Sequence, residues 1–374
     1  MRRGRPEVAM VVGIDASRAT ALQRTGTENY SLHLIRHLLA LNDYRYRLYF
    51  NATPPAGLFP QSDNWGARVM PFPRLWTHLR LSWEMVRRPP DLLFVPAHVI
   101  PLIHPRSVVT VHDLGYIYYP QTHRPFDRLY LALSTRFNVS VASHIIADSE
   151  ATENDLVQEY GVDEERITVV YPGCNLEPVM DESGWERIKE RYHLPDTYIL
   201  HLGTLHPRKN ILRLLEAFES LARDFPDLHL VLAGKKGWLY EEILYKAEGL
   251  GGKVHFPGYI ASEDLPFLIR KARLFILPSL YEGFGFPILE AMAAGTPVVC
   301  SNASALPEVA GDAALLFDPH DVEAMRGTAR KVLEDEALRA ELVERGLERA
   351  KFFSWERCAR ETLSVIVKVV GSDG

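Results

Sequence analysis

Two carboxylates, Glu282 and Glu290, bracket the run Gly283-Phe284-Gly285-Phe286-Pro287-Ile288-Leu289. Proline suits the first helical position, because its φ is already set and its missing N–H has no intrahelical acceptor there. A short helix is therefore expected from Ile288 to Ala294, stopped by Gly295. That puts Glu290 on its first turn and Glu282 in the loop before it. The backbone N–H groups of Phe284, Gly285 and Phe286 then point past a helix start, which is an anion-binding arrangement. An anion held between two carboxylates needs hydroxyls of its own. A nucleoside diphosphate sugar meets both demands: phosphates for the N–H groups, sugar and ribose hydroxyls for the glutamates. A solvated first-turn acid is the plainer account of Glu290. The apolar helix that follows, Ala291-Met292-Ala293-Ala294, argues for burial and hence for a partner.

A second candidate is Gly203-Thr204-Leu205-His206-Pro207-Arg208-Lys209-Asn210. It follows an apolar strand pattern and precedes a helix for which Asn210 is the expected cap. Arg208 has the geometry to grip phosphate oxygens in pairs, and Lys209 adds a point charge. A departing nucleoside diphosphate needs its growing charge neutralised, by a metal or by such side chains. The chain has no Asp-x-Asp pair to hold a metal–diphosphate. A solvated basic turn is the alternative reading. Third is Val111-His112-Asp113, with His112 at the carboxyl end of an apolar run. His112 is suited to hydrogen-bond a substrate hydroxyl or a backbone carbonyl. Asp113 is placed to orient the ring or cap the next turn. A purely structural role stays open for both. No HExxH spacing suggests a metal site. Gly26, in Thr25-Gly26-Thr27 before a helix, would let backbone approach a phosphate or sugar; it is not part of a GxGxxG fingerprint.

The elements that must position these residues alternate regularly. Strand patterns fall at Val8–Ile14, Tyr46–Phe50, Arg68–Met70, Leu92–Val95, Val108–Val111, His144–Ala147 and Ile167–Val170. After Tyr171–Pro178, a proline- and glycine-bearing hinge pattern, they resume at Tyr198–Leu202, Leu228–Leu232, Val254–Phe256, Leu274–Leu277, Val298–Cys300 and Ala314–Phe317. Helical stripes lie between them, such as Ile211, Leu214, Leu215, Phe218 and Leu221. Ser149 is the expected cap of a helix running to Tyr160. Apolar strands alternating with helices mean parallel sheets covered on both faces. The expected fold is α/β, with two doubly wound Rossmann-like domains facing across a cleft, residues 1–175 and 176–354. Ligands in such sheets bind beyond the carboxyl ends of the strands.

Composition narrows the function classes. The 374 residues are 47% hydrophobic and 24% charged, values of a globular chain of about two domains. A net charge of −6 argues against nucleic acid as a partner. Three scattered cysteines suggest neither a disulfide framework nor a zinc site, and point to a reducing compartment. No signal-peptide core or membrane-spanning run is evident, so a cytoplasmic location is expected.

Taken together, the motifs resemble the retaining glycosyltransferases of family 4, which have the GT-B fold. The resemblance is strongest in Pro207-Arg208-Lys209-Asn210, Leu232-Ala233-Gly234, Phe256-Pro257-Gly258-Tyr259, Glu282…Glu290, Ala294-Gly295-Thr296-Pro297 and Leu306-Pro307-Glu308-Val309. It implies that Arg208 and Lys209 hold the donor diphosphate without a metal or other cofactor. It implies that Glu290 bonds the ribose, and that Glu282, with the N–H groups of Phe284 and Gly285, holds the transferred sugar. His112 would touch the sugar, and Gly203, Gly234, Tyr259 and Gly26 would border the donor. The last helix, 355–374, would pack back on the first domain. Two departures stand out: Thr204 replaces an arginine common in the family, and the N-terminal loop has one glycine where two are usual. Pro-Arg-Lys-Asn with His-Asp looks most like mannosyl- and rhamnosyltransferase members of cell-surface polysaccharide pathways. That implies GDP-mannose as donor and a saccharide or lipid-linked acceptor. A sugar-nucleotide epimerase and a non-catalytic nucleotide-sugar-binding protein are the competing readings.

One stretch bears on the acceptor. Arg74–Arg88 has helical spacing, with Trp76, Leu79, Trp83 and Val86 as its apolar stripe and Arg74, Arg80, Arg87 and Arg88 off it. Such a helix either packs its stripe inward or lies on an anionic bilayer, a peripheral contact at the inner face of the membrane.

Overall fold

The computed structural model describes residues 10–21, 24–41, 43–97, 99–174 and 184–371. The contact pattern divides the chain into two compact units. One comprises Met1–Leu114, Leu129–Gly173 and Ser354–Gly374, the other Gly115–Arg128 and Cys174–Phe353. The segment Gly115–Arg128, which the sequence pattern places with the first domain, thus groups with the second unit. Part of the anticipated hinge, Asn175–Pro178, lies outside the described residues.

The first unit is built on a seven-stranded sheet: β1 (Val11–Asp15), β2 (Arg45–Phe50), β3 (Trp65–Val69), β4 (Leu92–Val95), β5 (Ser107–Val111), β6 (His144–Ala147) and β7 (Ile167–Val169). Their order is β3-β2-β1-β4-β5-β6-β7, and all pairings are parallel. Strands β4, β5 and β6 are buried throughout, as continuous apolar runs covered on both faces should be. β3 is the exception. It begins at Trp65 rather than near Arg68, because an exposed edge strand carries no apolar run to mark its start. The helix Gly26–Leu41 buries Tyr30, Leu34 and Leu38, and the last helix, Trp355–Gly371, packs against it.

The second unit has six parallel strands: β8 (Tyr198–Leu202), β9 (His229–Ala233), β10 (Val254–Gly258), β11 (Leu274–Leu277), β12 (Val298–Ser301) and β13 (Ala314–Phe317). Their order is β10-β9-β8-β11-β12-β13. The winding direction changes between β8 and β11, which are hydrogen-bonded neighbours. A crevice opens at such a point, because the following helices go to opposite faces of the sheet. The amphipathic helix Ile211–Asp224 covers one face, burying the whole stripe Ile211, Leu214, Leu215, Phe218 and Leu221.

Candidate active site

In the first unit, His112 directly follows β5. Register sets Val111 against Ala147 of β6, so the next residues, His112 and Asp148, come side by side. His112 Nδ1 lies 2.5 Å from Asp148 Oδ2, and its Nε2 lies 2.9 Å from the carbonyl of Pro96, just after β4. The acid on the ring nitrogen is therefore Asp148; of the two roles open to the adjacent Asp113, orienting the ring falls to another residue. Asp113 adds its negative charge to the surroundings of the ring. The Tyr30 ring stands edge-on to the imidazole, at 4.8 Å between centroids, and its hydroxyl pairs with Thr110 at 3.2 Å. Burial opposes charge on the imidazole, but Asp148 outweighs it and the His112 pKa is raised. Burial raises Asp148 too, against the pull of His112. Since a carbonyl is only an acceptor, Nε2 must carry a hydrogen. The Nδ1–Oδ2 contact then holds at most one further proton, shared between ring and carboxyl, and the ring is fixed in orientation.

Gly26 opens its helix as expected. Thr25 is the residue before it, and the Glu28 carboxylate accepts the Thr25 N–H at 3.0 Å, half of a capping box. Ser149 caps the helix Glu150–Tyr160 by accepting the Thr152 N–H at 3.1 Å, as anticipated.

The second unit carries the denser cluster, at the change of winding direction. The loop after β8 supplies Lys209, and the loop after β11 supplies Ser279 and Glu282. Lys209 Nζ donates to Glu282 Oε1 at 2.5 Å, and Ser279 Oγ donates to the same oxygen at 2.5 Å. All three residues are buried. Ser304 clamps the Glu282 backbone, its hydroxyl accepting the N–H at 2.7 Å and donating to the carbonyl at 2.9 Å. Burial alone would raise the Glu282 pKa; Lys209 and Arg208 outweigh it and hold it below the usual carboxylate value. Lys209 and Glu282, each expected to hold a separate part of a ligand, thus also form an ion pair with one another. Arg208 is half-buried, with its guanidinium 6.0 Å over the Tyr281 ring, and its carbonyl accepts the Leu280 N–H at 2.9 Å.

Asn210 does not cap the helix it precedes. It sits at φ 58° with no capping bond, its amide donating to the Pro319 carbonyl at 2.7 Å instead. That link ties the loop after β8 to the segment after β13. His201, in β8, is fully buried, and its place inside an apolar run gives no sequence signal of a role. Its Nδ1 bonds the Ile276 carbonyl at 3.2 Å, while its buried Nε2 has no hydrogen-bond partner. Burial, reinforced by Lys209, lowers its pKa to about 4. His201 is therefore neutral, and its Nε2 lies beside Gly203, which also meets the Lys209 stem.

The glycines are held by backbone proximity. A Cβ on Gly234 would lie 1.9 Å from the Gly203 carbonyl oxygen, so the loops after β8 and β9 touch main chain to main chain. Tyr259, after β10, is exposed, with Lys235 Nζ 5.2 Å over its ring. Gly285 precedes the helix Phe286–Ala293 at φ 108°, where a Cβ would strike Leu306. The helix thus starts two residues earlier than expected and Glu290 lies beyond its first turn. Phe284 and Phe286 pack edge-to-face at 5.1 Å, and Phe284 meets Phe353 at 5.6 Å, so these rings shape the loop. Glu290 keeps some solvent exposure, yet desolvation pushes its carboxyl up to about 7.

Comparison with known proteins agrees with this layout. Residues 24–178 match the family model Glycosyltransferase Family 4, and residues 186–349 match Glycosyl transferases group 1. The O-antigen chain mannosyltransferase B of Escherichia coli is 32% identical, across 91% of this chain and 95% of its own. The serotype-specific mannosyltransferase WbdA of Escherichia coli is 34% identical across 62% of this chain and 29% of its own. The sucrose-phosphate synthase of Thermosynechococcus elongatus superposes with a TM-score of 0.75 at 21% identity, covering 97% of this chain and 100% of its own. The chain belongs to glycosyltransferase family 4. It is a glycosyltransferase with the two parallel-sheet α/β units of the GT-B fold.

Proposed function

We propose that this glycosyltransferase moves a mannosyl group from GDP-mannose to a saccharide or lipid-linked acceptor, with retained anomeric configuration and without a metal ion. The observation that carries the reading is the Lys209–Glu282–Ser279 cluster with Arg208 beside it, at the change of winding direction. Two cations there suit a diphosphate leaving group, whose charge grows as the glycosidic bond breaks. Glu282 keeps the Lys209 ammonium in place and offers its second oxygen to a sugar hydroxyl. Glu290, close to half-protonated at neutrality, suits the ribose diol, where it either donates or accepts. The N–H groups of Phe284, Gly285 and Phe286 would serve the phosphates, while Gly203, Gly234 and Tyr259 would border the nucleotide. In the first unit, His112 serves as a fixed polar group rather than a donor of a mobile proton, since both ring nitrogens are engaged. Gly26, at the start of its helix, would offer backbone to the donor. The mannosyl assignment follows the two mannosyltransferase relatives.

The test is a thermal-shift panel of GDP-, UDP-, ADP- and dTDP-sugars, followed by transfer assays with and without a chelator. GDP-mannose is expected to raise the melting temperature most. At a hundredfold excess over Kd, ligand binding adds about 2.7 kcal/mol, a shift of several degrees. Chelation should leave both binding and transfer intact. A larger shift with another nucleotide overturns the donor, and loss of transfer on chelation overturns metal independence. His112→Ala should keep the shift and lose transfer; binding without turnover in the unmodified protein favours a nucleotide-sugar sensor instead.

A further inference from the structure

The segment Trp76–Arg87 turns an apolar face outward. It runs as a π-helical stretch, Trp76–Leu81, continued by the α-helix Ser82–Arg87. Trp76, Leu81 and Met85 are buried, and Trp76 Nε1 donates to the Met70 carbonyl at 2.8 Å. Leu75, Leu79, Trp83 and Val86, spaced for one helical face, are each half or more exposed, Trp83 at 57%. The π-helical stretch shifts the register, so that Trp76 points inward while the rest of its sequence stripe does not. Two neighbours extend the face. The Ile103 N–H donates to Ser82 Oγ at 3.3 Å, which brings the exposed Leu102 and Ile103 alongside. His78 Nε2 lies 3.3 Å from the Tyr130 hydroxyl, which brings in the helix Pro125–Val141 with exposed Leu129 and Leu133. Scattered apolar residues on a surface are ordinary; three adjoining segments presenting them together mark an interaction surface.

The charges choose the partner. Arg74, Arg87, Arg88 and Arg136 are exposed around the patch, and the Arg87 guanidinium lies 5.9 Å from the Trp83 ring centroid. The acid within the segment, Glu84, is buried and paired with Arg80 at 3.5 Å. A basic, apolar face on a chain of net charge −6 fits an anionic lipid surface. A symmetric pairing of two copies would instead set arginine against arginine. No helix among the described residues is long and apolar enough to cross a membrane. We propose that this face docks reversibly on an anionic bilayer, with Leu79, Trp83 and Val86 entering the interface and the arginines engaging headgroup phosphates. The proposal is independent of which nucleotide sugar the enzyme uses.

Co-sedimentation of the full chain with phosphatidylglycerol-containing vesicles and with phosphatidylcholine vesicles tests it. Binding should favour the anionic vesicles at least about tenfold and weaken as salt is raised. Arg87→Gln with Arg88→Gln should weaken it roughly thirtyfold, at about 1 kcal/mol for each arginine near the surface. Trp83→Ser should weaken it about tenfold or more, and Leu129→Ser with Leu133→Ser should act in the same direction from a separate helix. Each variant is compared at an unchanged melting temperature. Quenching by brominated lipids should report a buried tryptophan that is lost in Trp83→Phe. Full recovery in the supernatant with anionic vesicles at low salt overturns the proposal. So does a dimer in lipid-free solution that Trp83→Ser dissolves.

Discussion

Each unit sets a charged pair just beyond the carboxyl ends of neighbouring parallel strands, and the two pairs are built differently. His112–Asp148 is a closed device: both ring nitrogens are engaged, and the pKa of each partner is raised, the imidazole by its acid and the acid by burial. Lys209–Glu282 is an open one. Its acid is kept below the usual carboxylate value by two cations and a serine. Burial alone therefore does not decide whether a carboxylate is charged. Asp148 faces one imidazole and a neighbouring acid and its pKa rises, Glu282 faces two cations and its pKa falls, and Glu290, shifted by desolvation alone, rises to about 7.

The largest expected effect comes from opening the second pair. Lys209→Ala takes from buried Glu282 its direct ion-pair partner and leaves it only Arg208 and Ser279, which should destabilise the fold by up to about 3–5 kcal/mol and abolish transfer. Adding Glu282→Gln should restore much of the stability, read by chemical denaturation, but none of the activity. If the double variant is as unstable as the single, the cluster is not an ion pair in solution. Glu290 tests the third case. Its folded pKa is raised, so protonation favours the folded state, and the penalty is absent below the unfolded value of 4.5 and complete above about 7. Glu290→Gln should therefore stabilise the protein by at most roughly 3 kcal/mol at pH 8, fading as pH falls towards 4.5, while nucleotide affinity drops. Equal stabilisation at both pH extremes would mean that desolvation is not the cause. The smallest effect belongs to the first pair. Asp148→Asn removes the charge that raises His112, so the imidazolium should deprotonate at a lower pH. Transfer should fall on the alkaline side of the profile and recover as pH is lowered. A uniform loss across the profile would reduce Asp148 to a structural role.

Much of the fold was legible from the chain itself. The runs at Leu92–Val95, His144–Ala147 and Tyr198–Leu202 coincide with strands, because a strand buried on both faces must be apolar throughout. The site was legible as a set of loops but not as a set of contacts. Asp148 follows a recognisable strand just as His112 does, yet only the register of β5 against β6 shows that the two meet. His201 is hidden in an apolar run, since nothing local says that its Nε2 lacks a partner.

The sequence by itself determined the alternation of strands and helices, the glycine and proline punctuation, and the loops that carry Arg208, Lys209, Glu282 and Glu290. Those follow from periodicity and backbone stereochemistry, which act over a few residues. Only the tertiary structure decided that Lys209 binds a carboxylate 73 positions away, that His112 takes its acid from 36 positions on, and that Trp83 faces outward while Trp76 does not. Charge and burial act through space, and sheet register rather than sequence order sets which groups become neighbours.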